Sequence, residues 1–187
     1  MVAVKWMDQA GGEEFQIEVE LLSRLHSPYL LSLLGYCSKS SRKLLVYEFM
    51  ENGGLLEHLY PPHGIKSIYA SLDWKTRLRI TLEAARSFEY LPEQVSPPVI
   101  HRDFESSNIL LDQSFHGKCL TLDWPSLDRR KPEAMFSTRV LGTQSYVAPE
   151  YALTGHLTPK SVVYSYGVVL LELVSHWRGP SGYEETS

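Results

Sequence analysis

Cysteine is scarce in this chain. Its 187 residues include only Cys37 and Cys119, far apart in sequence and without the close spacing of a metal site or a disulfide framework. They read as two buried thiols in a reducing compartment. A long apolar run is also missing. The most hydrophobic stretch, Val162 to Val174, is interrupted by Tyr164, Ser165, Tyr166 and Glu172, and it falls short of the about 20 residues a transmembrane helix needs. The amino terminus, Met1-Val2-Ala3-Val4-Lys5-Trp6, lacks a signal-peptide layout and has no glycine at position 2 for myristoylation. Charge of one sign is not in excess. The formal net charge of -4 gives no reason to expect nucleic acid or an acidic membrane surface as a main partner. Internal repeats and low-complexity tracts are absent as well.

What is present suits one globular domain. Hydrophobic residues make up 43% and charged residues 21% of the chain, enough to bury a core and too apolar for disorder. Val2-Ala3-Val4 is a β-branched run beginning almost at residue 1, which carries the expectation that a preceding segment is missing. After Gly11-Gly12, the apolar positions Phe15, Val19, Leu22 and Leu25 recur at a helical period. Glu18 lies beside that stripe, and a carboxylate placed there calls for a cationic partner. Leu30 to Cys37 and Lys43 to Phe49 predict two strands joined by the polar turn 38–42. Asn52-Gly53-Gly54 breaks the pattern before a short helix over Leu55 to Leu59. Residues 61–71 read as a loop, and Asp73 is a suitable N-cap for a long helix that Pro92 should end. Farther on, Val99-Ile100 and Ile109-Leu110-Leu111 predict two short strands flanking a polar loop, and Cys119 to Leu122 is a further short apolar piece. Residues 123–139 have the composition of a mobile surface loop, and a last apolar helix is expected from about Ser161 to Val174.

The chemistry-bearing residues gather in four places. His101-Arg102-Asp103-Phe104-Glu105-Ser106-Ser107-Asn108 fits H-R-D-x-x-x-x-N, a spacing that sets a carboxylate five residues before an amide. A carboxylate can accept the proton of an attacking hydroxyl, and the amide oxygen can hold a metal against phosphates. Val2-Ala3-Val4-Lys5 matches V-A-I-K, Glu18 follows at the position of the helix carboxylate, and Ala148-Pro149-Glu150 matches A-P-E. All four occur in the expected order. Together with Leu45-Val46-Tyr47-Glu48-Phe49-Met50 and Gly142-Thr143-Gln144-Ser145-Tyr146-Val147-Ala148-Pro149-Glu150, they give a chain that resembles the eukaryotic protein kinases. The resemblance is strongest to the receptor-like cytoplasmic serine/threonine kinases of plants, and it runs from Val2 to about Val174.

That resemblance implies an α+β, two-lobed protein-kinase-like fold in partial form. A small lobe and hinge would occupy residues 1–50 and a large lobe residues 51–187. It implies ATP and Mg2+ as cofactors and protein hydroxyls as phosphate acceptors. Asp103 would be the base, Asn108 a metal ligand, and Lys5 with Glu18 the clamp on the α- and β-phosphates. Tyr47 would be the gatekeeper, and Glu48 to Met50 would line the adenine as the hinge. Ser137, Thr138 and Thr143 would be phosphosite candidates, with Arg102 near enough to pair with an added phosphate. The partners implied are a protein substrate or a partner kinase or receptor. The location implied is cytoplasmic, with any plasma-membrane association made through partners.

The departures fall on the same positions. No glycine-rich loop precedes Val2, and the chain stops at Ser187 where the resemblance expects further large-lobe helices. Glu105 stands where the family has a lysine that approaches the transferred phosphate. Thr121 occupies the place of the D-F-G aspartate; the nearest acid, Asp123 in Asp123-Trp124-Pro125, comes two residues later and is the remaining metal-ligand candidate. Val162 stands where an aspartate usually ties the catalytic loop from beneath, and Ser145 where glycine is usual. The expectation is a truncated, degenerate homologue with impaired phosphotransfer, acting as a binding protein of the pseudokinase type. Two alternatives stay open: a residually active serine/threonine kinase, and a fragment that does not fold on its own.

Overall fold

The computed structural model describes residues 1–7, 12–39, 42–61, 71–95, 99–101, 103–120, 136–137 and 143–175. Alternation of exposed and half-buried side chains over Val2–Met7 makes β1 a strand with one face turned inward. It pairs antiparallel with β3 (Arg42–Glu48), which pairs in turn with β2 (Leu33–Lys39), giving the order β1-β3-β2. The register sets Ala3 opposite Tyr47 and Lys5 opposite Leu45, so these four share a face. Helix α1 (Gly12–Leu22) packs on that face through Phe15, whose ring meets Tyr36 edge-on at 6.1 Å.

The remainder is mainly helical. Helices α2 (Leu55–Leu59), α3 (Trp74–Gln94), α4 (Pro149–Thr154) and α5 (Pro159–Ser175) accompany two small hairpins. One hairpin joins β4 (Ile109–Leu111) to β5 (Gly117–Cys119), and the other joins β6 (Phe136–Ser137) to β7 (His156–Leu157). Asp73 caps α3 as its sequence suggests, its side chain accepting the Thr76 amide hydrogen at 2.8 Å. Gly155 closes α4 with a positive φ of 67°, a conformation that costs a side-chain-bearing residue more than it costs glycine. A continuous core runs from Phe15, Leu45 and Tyr47 through Leu55 and Leu111 to Ile80, Leu91, Phe104 and Leu173. Sheet and helices are therefore packed as one body around it.

Several boundaries differ from the sequence expectation for identifiable reasons. The first expected strand begins at Leu33 rather than Leu30, because Leu30 forms an isolated parallel bridge with Cys119 instead. Helix α3 continues past Pro92 to Gln94. A proline this near the end removes only a last-turn donor, and the Leu91 carbonyl is taken up by the Val99 amide at 3.3 Å. Val99-Ile100 is no strand, although Val99 is buried. Residues 62–70 of the expected loop and all but 136–137 of the 123–139 segment lie outside the described residues.

Ile80 is fully buried beneath the β4–β5 hairpin. Ile80→Ala should cost about 2–5 kcal/mol in urea unfolding, whereas Asp73→Ala, which removes one cap, should cost only about 1 kcal/mol.

Candidate active site

Lys5 and Glu18 meet across the interface between β1 and α1. The Lys5 ammonium donates to both carboxylate oxygens of Glu18 at 3.3 Å, and the Tyr47 hydroxyl donates to Oε1 at 2.6 Å. Glu18 is only 6% exposed, so one charged and one neutral donor compensate a carboxylate that would be costly to bury alone. Burial, and then the carboxylate beside it, hold the Tyr47 phenol well above its usual range. The pairing that the sequence placed on residues 5 and 18 is therefore made, and Tyr47 joins it through its hydroxyl.

A cleft of about 320 Å3 opens beneath this cluster. Lys5, Tyr47, Glu48 and Met50 line it from above and Leu110 and Leu120 from below. Its walls are largely apolar with one ammonium at the inner edge, which fits a purine ring carrying an anionic tail. Glu48 borders this cleft, but its carboxylate is engaged elsewhere. Oε2 accepts from the Lys118 ammonium at 2.6 Å, and Oε1 accepts from the Ser32 amide at 2.8 Å. Burial alone would raise its pKa, yet these donors outweigh it and hold the carboxyl below its usual range.

The loop after His101 enters a single 3-10 turn, Ser106–Asn108. That turn brings Asn108 back onto Asp103: Asn108 Nδ2 donates to the Asp103 carbonyl at 2.8 Å and to Oδ2 at 3.1 Å. The Leu120 amide donates to the Asn108 carbonyl at 2.8 Å, and His101 Nε2 donates to the Leu120 carbonyl at 2.8 Å. The loop and the end of the β4–β5 hairpin thus hold one another. Glu105 accepts from the Ser107 hydroxyl. On the other side of the turn, Ser106 donates to the Tyr146 hydroxyl at 3.0 Å, and Tyr146 donates to Glu172 Oε1 at 2.8 Å. Glu172 is 2% exposed and lies in α5. Burial raises its pKa, and the Glu105 carboxylate adds to that effect against the Tyr146 and Ser106 hydroxyls.

Of the two ligands expected for Mg2+, Asn108 lies among the described residues. Among the described residues, no group of three or more His, Cys, Asp or Glu side chains could hold a metal ion. Asp103 is the carboxylate nearest to Asn108, and it already accepts from the Asn108 amide. Mg2+ at a phosphate site commonly takes one or two carboxylates beside waters and phosphate oxygens. Asp123, the other metal candidate, lies outside the described residues, as do Arg102 and Thr138. Ser137 is described only by its backbone pairing with His156, and Thr143 is exposed. Cys119 is buried as expected, and that burial pushes its thiol up to about 12; Cys37 is half-buried on β2 rather than buried. The sequence reading missed Lys118 and Tyr146 and gave Glu172 no role. A signal for Glu172 was available, because a carboxylate inside an otherwise apolar helix needs a donor.

Tyr47→Phe should lower stability by about 2 kcal/mol in denaturant unfolding, because it deletes a hydrogen bond to a buried carboxylate. Glu172 has a raised folded pKa, so its stabilising contribution is complete below its ordinary 4.5 and is lost as pH rises through the folded value. Glu172→Gln should remove that descent. The stability of the variant relative to the parent should climb with pH above 4.5, by at most about 1.4 kcal/mol per pH unit. A difference independent of pH would contradict the assignment.

Similarity to known proteins identifies the family. A family model described as protein tyrosine and serine/threonine kinase matches residues 1–186. The chain is 48% identical over 178 residues to the serine/threonine-protein kinase PBS1 of Arabidopsis thaliana, covering 94% of this chain and 38% of that protein. It is likewise 48% identical to the probable serine/threonine-protein kinase PBL23 of the same plant, over 94% of this chain and 46% of the relative. The serine/threonine-protein kinase PBL27 is 47% identical over 94% of this chain and 34% of its own length. The chain therefore spans less than half the length of these relatives. With a match that runs almost from end to end, it belongs to the protein kinase family.

Proposed function

We propose that this chain is a serine/threonine kinase homologue that binds an adenine nucleotide and transfers phosphate poorly, acting through binding to a kinase, receptor or substrate protein. The observation that carries this reading is Glu105. Its carboxylate sits two residues after Asp103, accepting from Ser107, in the loop where the family has a phosphate-directed lysine. Two unit charges 4 Å apart interact by about 4 kcal/mol at an effective dielectric of 20. Reversing one sign loses that attraction and adds repulsion, and about 3 kcal/mol is already more than a hundredfold in rate. Thr121 in place of an acid adds to the effect by removing a carboxylate from the metal's reach. ATP is the cofactor implied, with Lys5 meeting its phosphates and Glu48 to Met50 its base. Mg2+ would supply charge neutralisation at the phosphates, with Asn108 and Asp123 as its ligands.

On this reading residues 1–50 form the small lobe and hinge and residues 51–187 the large lobe. Ser137, Thr138 and Thr143 are acceptors for a partner kinase. The place of action is cytoplasmic, with contact to the plasma membrane through partners. Among the described residues, no helix is long and apolar enough to cross a membrane.

The second reading, a slow but genuine serine/threonine kinase, is favoured by the closed Lys5–Glu18 pair and by Asn108 holding Asp103. The two readings separate in one assay. Purified chain with labelled ATP and a generic protein substrate should incorporate no more phosphate than Asp103→Asn. Robust incorporation that vanishes in Asp103→Asn and in Lys5→Met would establish the second reading instead. In either case Mg·ATP at a hundred times its dissociation constant should stabilise the fold by about 2.7 kcal/mol, a rise in Tm of roughly 5–10 °C for a domain of this size. A cooperative melt that ATP leaves unmoved would remove nucleotide binding from the proposal, and the lack of any cooperative melt would mean a fragment unable to fold alone.

A further inference from the structure

Beyond the positions that bear the chemistry, the geometry points to Glu48 and Lys118 as a positioning pair that fixes the upper wall of the cleft relative to the catalytic loop. This rests on the proposed nucleotide cleft. Glu48 is the last residue of β3, where the chain leaves the sheet, and Lys118 is the middle residue of β5 in the helical part. Their side chains meet at 2.6 Å and are only 25% and 19% exposed.

The pair closes a chain of short contacts between the two walls. Segment 29–32 runs between β5 and the end of β3: the Leu31 amide donates to the Cys119 carbonyl at 3.0 Å, and the Cys119 amide to the Tyr29 carbonyl at 2.9 Å. On its other side the Glu48 amide donates to the Ser32 carbonyl at 3.1 Å, and the Ser32 amide returns a bond to the Glu48 carboxylate at 2.8 Å. Lys118 therefore bridges over a backbone segment already bonded to both of its neighbours. Two residues after Lys118, Leu120 lines the cleft floor and bonds both Asn108 and His101. A displacement of Lys118 would be passed directly to the Asp103–Asn108 turn.

Stability alone does not call for an ion pair here, since apolar side chains of similar volume commonly do as well or better at partly buried positions. A charge-assisted hydrogen bond such as this 2.6 Å contact holds its two groups at a short separation that apolar packing would leave slack. The quantity held fixed is the spacing between the wall that would meet the base and the loop that would meet the phosphates.

Amide hydrogen exchange and nucleotide titration on the purified chain test this, using Lys118→Met, Lys118→Arg, Glu48→Gln and the double variant Glu48→Gln/Lys118→Met. In Lys118→Met, exchange at the Leu31, Glu48 and Leu120 amides should speed up about tenfold while the α3 amides hold their rates. ADP binding measured by calorimetry should weaken about tenfold. Lys118→Arg should recover both, and the double variant should be no worse than either single change. The proposal is overturned if exchange quickens equally throughout the chain, if Lys118→Arg behaves like Lys118→Met, or if the single effects add in the double variant. Should the unmodified chain bind no ADP, the nucleotide cleft fails as a reading, and the exchange arm still decides whether the pair positions the loop.

Discussion

A carboxylate buried between a sheet and a helix constrains everything around it. Glu18 sits on the inward face of α1 with almost no solvent access, so an uncompensated charge there would cost more than the packing of α1 could return. Compensation comes from two strands at once: Lys5 on β1 and Tyr47 on β3. Their cross-strand register, with Ala3 opposite Tyr47, sets them side by side. Satisfying Glu18 therefore fixes the height of α1 over the sheet and the position of the Lys5 ammonium above the cleft. One electrostatic requirement settles both a packing geometry and the placement of the Lys5 ammonium.

The β4–β5 hairpin plays the corresponding part below the cleft. Its Gly117 amide and His116 ring are both held by Glu83 of α3, at 2.7 and 2.6 Å. A Cβ at Gly117 would meet Ile80 and Ile109 at 3.4 Å, the edge of ordinary contact. The hairpin thus lies close on α3, while Cys119 and Leu120 reach the 29–32 segment and the Asn108 turn. The rigidity of the loop bearing Asp103 is in this sense borrowed from α3.

Much of this was legible in the sequence, and the reasons separate cleanly. Local signals were read correctly: the α1 stripe through Phe15 and Leu22, the Asp73 cap, and the short helix Leu55–Leu59. Each depends on residues within one or two turns of one another. That Glu18 needs a cation was legible from its place beside an apolar stripe, and the kinase resemblance pointed to Lys5 as that cation. Lys118 as the partner of Glu48, and Tyr146 as the partner of Glu172, were not legible. They lie 70 and 26 residues apart, and although a carboxylate in an apolar helix signals the need for a donor, no local pattern says which distant residue meets it. The Leu30 boundary failed for the same reason, since its bridge to Cys119 is a long-range pairing that overrides strand propensity.

Glu105 is where the electrostatics of the loop come together. Asp103 and Glu105 lie on one short turn near Glu172, and burial, with the Glu105 carboxylate adding to it, makes Glu172 hold its proton more tightly than a free carboxyl would. Tyr146 and Ser106 stabilise the charged form only in part, because Tyr146 spends its one hydrogen on Oε1 and leaves Oε2 buried without a partner among the described residues. A loop built to hold a polyphosphate would lower this accumulation with a cation, as the lysine usual at position 105 does. Here Asn108 is folded onto Asp103, while Glu105 brings a carboxylate to the same turn. On the proposed function, that combination suits a site that positions a nucleotide better than one that moves its terminal phosphate.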